Sequence, residues 1–266
     1  MKSAICSKYG YVADRWINKN NVPVNENNTL FPIWVCWWQG EENMPDLVKT
    51  CYRSLLKNSN GHPVILITKD NYKDYVSFPE HIMGKFEKGC ISITHLSDIL
   101  RASLIYEHGG LWIDSTILVT GLIPESFDLE IFSIKHKKKG EHVSGYKWTA
   151  FLFFGQRKNV LHGFMQDFFY EYWLHEDKLI EYLMIDYTIA IAYDCIPEVT
   201  KMIDKVPYNN LRHNDLRNLM KKAYDVEIYN EVIANTFLHK LTWKKKFQEN
   251  TKQGLPTFYA HILKLN

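Results

Sequence analysis

The apolar residues of this chain change period along its length, and the change marks its elements. LFPIWVCWW (30–38) is an apolar run bounded by Pro32 and by Gln39-Gly40. Such a run suits a strand buried on both faces. In MPDLVKTCYRSLLK (44–57), Leu47, Val48, Cys51, Tyr52, Leu55 and Leu56 recur at helical spacing, with Pro45 in a first-turn position. VILIT (64–68) then reads as a second buried strand. Strand, helix and strand on short connections predict a βαβ unit and a parallel sheet. Ligands of such sheets bind beyond the carboxyl ends of the strands. That alone places Trp37, Trp38, Gln39 and Gly40 at the rim of a site.

Further along, a helix is expected from Thr94 to His108, stopped by Gly109-Gly110 and followed by a strand at LWID (111–114). EIFSIK (130–135) and AFLFF (150–154) read as strands on either side of the polar loop HKKKGEHVSGYKW. Val160, Leu161, Phe164, Met165, Phe168, Phe169, Tyr172 and Trp173 form a helical stripe. A second helix is expected from about Lys178 to Asp194, and short strands near Val226–Ile233 and Phe258–Ile262. At the other end, residues 1–17 suit a short helix, and NKNNVPVNENNT (18–29), with six Asn, reads as a linker. The expected fold is mixed α/β, a mainly parallel sheet flanked by helices with a helix-rich C-terminal half. Residues 1–29 are expected to be an extension and linker, and 30–266 one domain.

Composition narrows the function classes. Of the 266 residues, 46% are hydrophobic and 14% aromatic, enough for a sizeable core and for a pocket wall. A net charge of +2 does not suit a nucleic-acid binder, so no such partner is expected. Cys6, Cys36, Cys51, Cys90 and Cys195 are scattered, with no CxxC pair, so neither a zinc knuckle nor a disulfide framework is suggested. A reducing cytoplasm fits, and the N-terminus lacks the apolar core of a signal peptide. A peripheral contact with the membrane surface stays open. KHKKK (135–139) reads as a solvated loop, with a grip on phosphate as the alternative, and Lys244–Lys246 forms a second basic run.

The chemistry concentrates in SDILRASLIYEHGGLWIDST (97–116). On a helix, Leu96, Ile99, Leu100, Ser103 and Leu104 share one face, and Asp98, Arg101, Ala102 and Ile105 share another. That second face is half apolar, so the helix is expected to be covered on both sides. Asp98 and Arg101, three residues apart, can pair, as a structural salt bridge or as part of a site. Asp114 closes an apolar strand beside the hydroxyls of Ser115 and Thr116. It suits either a turn cap or the carboxylate that meets Mg²⁺ or Mn²⁺ and a diphosphate. Asp186, between Tyr182, Ile189 and Tyr193 on its helix face, suits a sugar pocket or a bond to a nearby tyrosine hydroxyl.

IWVCWWQG, the SDILR helix, GGLWIDST, KWTAFLFF, EYLMIDYTIA and HKLTWK, in that order, resemble the capsular-polysaccharide-synthesis glycosyltransferases, relatives of glycosyltransferase family 32 and of the clostridial glucosylating toxins. The resemblance spans most of residues 30–262. It implies a GT-A fold, a nucleotide-sugar donor, usually UDP-linked, and transfer with retention to a growing surface polysaccharide or its lipid-linked precursor. By the same resemblance Trp38 stacks on the base, Asp98 and Arg101 contact the donor sugar, and Asp114 opens a DxD motif. Gly110 lets the backbone approach the ligand, and His239, Lys240 and Thr242 lie near the diphosphate. A divalent metal would be held by Asp114 and by Thr116, which stands where many relatives carry a second Asp. Thr is a neutral, weaker ligand. The competing readings are a degenerate, non-catalytic sugar-nucleotide or glycan binder and a phosphotransferase that would release UMP.

Overall fold

The computed structural model describes residues 1–19, 30–136 and 141–265. In chain order these hold α1 (Lys2–Tyr9), α2 (Tyr11–Asp14), β1 (Ile33–Cys36), α3 (Asp46–Lys57), β2 (Val64–Ile67), α4 (Glu80–Glu87) and α5 (Ile93–His108). Then follow β3 (Gly110–Ile113), β4 (Ile117–Val119), β5 (Ile131–Ser133), β6 (Leu152–Gly155), α6 (Val160–His175), α7 (Met184–Cys195) and α8 (Pro197–Lys205). The chain closes with α9 (Asp215–Leu219), α10 (Val226–Asn235), β7 (Leu238–Lys240) and α11 (Phe258–Leu263). The Asn-rich segment at 20–29 and the lysines of the basic run at 137–139 lie outside the described residues.

The main sheet has the order β2-β1-β3-β6-β5. β2, β1 and β3 pair in parallel, and β6 runs antiparallel to both β3 and β5. β5 therefore points the same way as β1, and only β6 among these five strands is reversed. This is the expected mixed α/β fold with a mainly parallel sheet. Alternation along the strands divides the core. Trp34, Trp112, Ile131 and Phe153 face a layer built from α5, α6, α7 and α8. Ile33, Val35, Leu111, Ile113, Leu152 and Phe154 face the opposite way, onto Val48, Tyr52 and Leu55 of α3 and onto β4. The unbroken apolar run of β1 follows from having both faces covered.

Several expected boundaries change. The two C-terminal segments expected as strands are the helices α10 and α11. Each is started by a side-chain cap: Asp225 accepts the Glu227 and Ile228 amides, and Thr257 accepts the Ala260 amide. The helix expected from Lys178 begins at Met184. Pro45 is the N-cap of α3, one residue before its first turn. Lys135 is buried rather than solvated, its Nζ donating to the Ile203 carbonyl at 3.0 Å. β4 and β7, not expected from the sequence, pair in a separate antiparallel ladder.

The first seventeen residues do not stand outside the domain. Ile5, Tyr9, Val12, Ala13 and Trp16 are buried in the same core as α6 and α7. Trp16 donates its indole N–H to Asp167 at 2.8 Å. A Cβ on Gly163 of α6 would overlap the Trp16 and Tyr106 rings. Glycine in mid-helix normally costs about 1 kcal/mol against alanine. Here the small residue admits Trp16, so Gly163→Ala should lower the melting temperature where helix propensity alone would raise it. Thermal denaturation followed by circular dichroism checks the sign.

Candidate active site

The parallel strands deliver their carboxyl ends to one edge. β1 ends at Cys36 and β3 at Ile113, and the reversed β6 brings its amino end to the same edge. There the Asp114 amide donates to the Phe151 carbonyl at 2.9 Å. α5 packs against β3, and Arg101, midway along it, reaches the end of that strand with Asp98 one turn before it. Residues His95, Leu96 and Asp98 to Ile105 are all buried, so α5 is covered on both sides as its sequence implies.

Asp114 is the hub. Its Oδ2 lies 2.7 Å from Lys240 Nζ. Its Oδ1 lies 3.2 Å from Arg101 Nη2 and accepts the Trp112 indole N–H at 2.9 Å. Lys240 also donates to Thr116 Oγ1 at 2.9 Å. Arg101 donates to the Ala150 carbonyl, stands 4.8 Å from the centre of the Trp112 ring and reaches Asp98 at 3.5 Å. Asp98 is in turn 3.5 Å from His95 Nδ1. Burial works against the Asp114 charge, but Lys240 and Arg101 outweigh it and hold the carboxyl below its ordinary pKa.

Asp186, in the first turn of α7, is 6% exposed and accepts the Trp148 indole N–H at 2.9 Å, not a tyrosine hydroxyl. Burial raises its pKa; His142 and the Trp148 bond act the other way, and Asp98 adds to the rise. Asp98 and Asp186 are therefore near enough for each to act on the other's charge, with Arg101 and His142 as further charged or titratable neighbours.

The other expected site residues divide. Trp37 and Trp38 lie just beyond β1 and diverge, both half-buried. Trp37 donates to the Asn43 carbonyl at 3.2 Å and meets the edge of Trp243 at 5.7 Å. Trp38 packs against Tyr72 and Phe86. Gln39 is exposed, and Gly40 has φ +87°, which favours glycine at that turn. Ser115 and Thr242 are half-buried next to Asp114 and Lys240 in sequence.

Two expected residues are elsewhere. Gly110 starts β3, at the far end from Asp114. Its φ of +99° and a Cβ that would overlap the Pro32 carbonyl explain the glycine by strand packing. His239 is fully buried and, by strand alternation, points away from Lys240, its Nε2 3.0 Å from Thr120 Oγ1. Burial pushes its pKa down to about 4, so it is neutral at pH 7.

The sequence reading missed Trp112, Trp148, His95 and His142 as partners of the carboxylates. Trp112 was discoverable, since residues two apart on a strand share a face. The expected metal ligands are already engaged. Both Asp114 oxygens accept donors, and Lys240 bridges Asp114 to Thr116. No group of three or more His, Cys, Asp or Glu able to hold a metal occurs among the described residues. One carboxylate and one hydroxyl, flanked by two cations, do not fit Mg²⁺ or Mn²⁺, which take several hard oxygen ligands.

With this geometry in view, the chain belongs to the family of capsular polysaccharide synthesis proteins, which matches residues 3–262. That membership gives it a role in capsule biosynthesis. No curated protein matches the chain. No helix among the described residues is long and apolar enough to cross a membrane.

The buried Asp186 carboxyl has a pH consequence. With a folded pKa above that of the unfolded chain, its contribution to stability is full below the unfolded value, about 3.9, and is lost as pH rises through the folded value. Asp186→Asn keeps an acceptor for Trp148 and removes the charge. The variant should melt above the wild type at pH 7, with the difference vanishing below about pH 4. Melting curves across that range test it.

Proposed function

We propose that the protein is a glycosyltransferase that moves a sugar from a nucleoside-diphosphate donor, probed first as UDP-sugars, to a growing capsular glycan or its lipid-linked precursor, with retention. The reading rests on one observation above the rest: Asp114 sits at the carboxyl end of β3, locked between Arg101 and Lys240, at the edge where parallel sheets bind ligands. Capsule-family membership supplies the process.

In this reading Trp38 stacks on the base, while Trp37 points to the opposite side of the strand end. Asp98, Arg101 and Asp114 hold the sugar, and Asp186 faces its hydroxyls. The donor's bond from the anomeric carbon to the phosphate oxygen breaks, and its electron pair leaves with the diphosphate. The acceptor oxygen bonds to that carbon as its proton departs. The leaving charge needs fixed positive groups, and Arg101 and Lys240 stand at the site for that task. Nucleotide sugars are made in the cytoplasm, so the reaction belongs at the cytoplasmic side of the membrane that carries the acceptor. A sugar-nucleotide binder without catalysis is the second reading. It is favoured by the complete pairing of both Asp114 oxygens within the protein.

Release of UDP from a panel of UDP-sugars by purified protein separates the two. Asp114→Asn keeps the shape of the side chain, and the variant, checked for folding by circular dichroism, should turn over the donor ~10²–10³-fold more slowly, the scale of a lost electrostatic stabiliser. Wild-type turnover in that variant would leave Asp114 as a structural counter-ion of Arg101 and Lys240. Trp38→Ala should weaken UDP binding by ~1–3 kcal/mol, the scale of base stacking, measured by calorimetry. Unchanged affinity in a folded variant would remove Trp38 from the base site.

A further inference from the structure

We propose that Lys240 stands in place of a divalent cation, so that the diphosphate of the donor is met by its ammonium group and no metal ion is needed. The inference rests on the nucleotide-sugar reading of the site and goes beyond it in naming the group that neutralises the leaving phosphate.

Lys240 Nζ joins Asp114 Oδ2 at 2.7 Å to Thr116 Oγ1 at 2.9 Å. Those are the two side chains, separated by Ser115 just after β3, between which a metal at this edge would be held. Charge balance favours the lysine. Asp98 and Asp114 carry two negative charges, and Arg101 and Lys240 carry two positive ones. A divalent ion added to this neutral set would face two cations, and the other carboxyl near them, Asp186, is already bonded to the Trp148 indole. A second Asp at 116 would restore the need for such an ion, but the chain has Thr there.

The lysine is also held from both sides. Its amide donates to the His213 carbonyl at 2.7 Å, and the Leu241 amide donates to the Thr116 carbonyl at 2.9 Å. β7 pairs Lys240 with Ile117, directly after Thr116. The side chain runs across Phe151, with Nζ 5.0 Å from the ring centre, and is 19% exposed. An ammonium has three donors. Asp114 and Thr116 take two, which leaves one for a phosphate oxygen. When the sugar–oxygen bond breaks, the electron pair stays on that oxygen. Lys240 donates a hydrogen bond to it and remains protonated, and the acceptor's proton passes to the departing diphosphate.

The test measures binding of UDP, GDP, CDP and TDP to the full chain by calorimetry, in EDTA and again with Mn²⁺. Paramagnetic resonance of free Mn²⁺ is followed in parallel. The expected result is that at least one diphosphate binds with the same affinity, within about twofold, in both conditions, and that the protein does not deplete the Mn²⁺ signal. Lys240→Met should weaken that binding tenfold or more. Thr116→Asp combined with Lys240→Ala should begin to deplete the Mn²⁺ signal. Binding that collapses in EDTA and returns with Mn²⁺ would overturn the lysine proposal and leave the donor site standing. If none of the four diphosphates binds in either condition, the donor reading falls and this proposal with it. The EDTA comparison uses the unaltered chain, so a variant that fails to fold does not blunt it.

Discussion

One carboxylate organises the far edge of this fold. Asp114 is reached from three directions in the chain: by Arg101 from the helix before its strand, by Trp112 from the strand itself, and by Lys240 from 126 residues later. Each partner has a different anchor. Arg101 is fixed by a fully packed helix, Trp112 by the sheet, and Lys240 by the small β4–β7 ladder. A half-buried charge of this kind is held by all its partners together, because losing one leaves another uncompensated. The ladder that looks peripheral in the topology is thereby tied to the centre.

The two-faced sheet explains why that edge can be rigid. Trp34, Trp112 and Phe153 look toward the layer of α5 to α8, while Ile33, Leu111 and Phe154 look toward α3 and β4. With both faces sealed, the strand ends have little freedom, and the side chains just past them are presented at fixed positions. The close passage of Gly110 against Pro32 belongs to the same economy of space at the opposite end of β3.

Much of this was readable from residue order. The apolar runs of β1 and β2, the stripe of α3, the doubly covered α5 and the glycine stop before β3 all follow from period and punctuation. The pairing of Asp98 with Arg101 was legible in their three-residue spacing, whereas the place of Arg101 beside Asp114 was implied only by the family resemblance. The misreadings have physical causes. Val226–Ile233 and Phe258–Ile262 carry strand-forming residues, but the caps Asp225 and Thr257 decide for helix. β4 and β7 are too short to show a period. Asp186 was legible as an unusual buried acid, but its partner Trp148 lies 38 residues upstream in a loop, where no local pattern operates. Residues 1–17 looked detachable because an Asn-rich stretch follows them. Spacing in sequence says nothing about a surface that only α6 and α7 create.

That surface sets an order of events during synthesis. Lys2 pairs with Asp194, Tyr11 with Glu171 and Trp16 with Asp167, across 192, 160 and 151 residues of chain. The first helices leave the ribosome while their partners are still unmade. Ile5, Tyr9, Val12 and Trp16 must therefore wait, uncovered, until α7 has emerged. Contacts so distant in sequence form slowly, and apolar segments left waiting are prone to wrong associations. Residues 1–17 thus cannot finish packing into this core until α7 has been made, and a nascent chain halted before Cys195 cannot complete it.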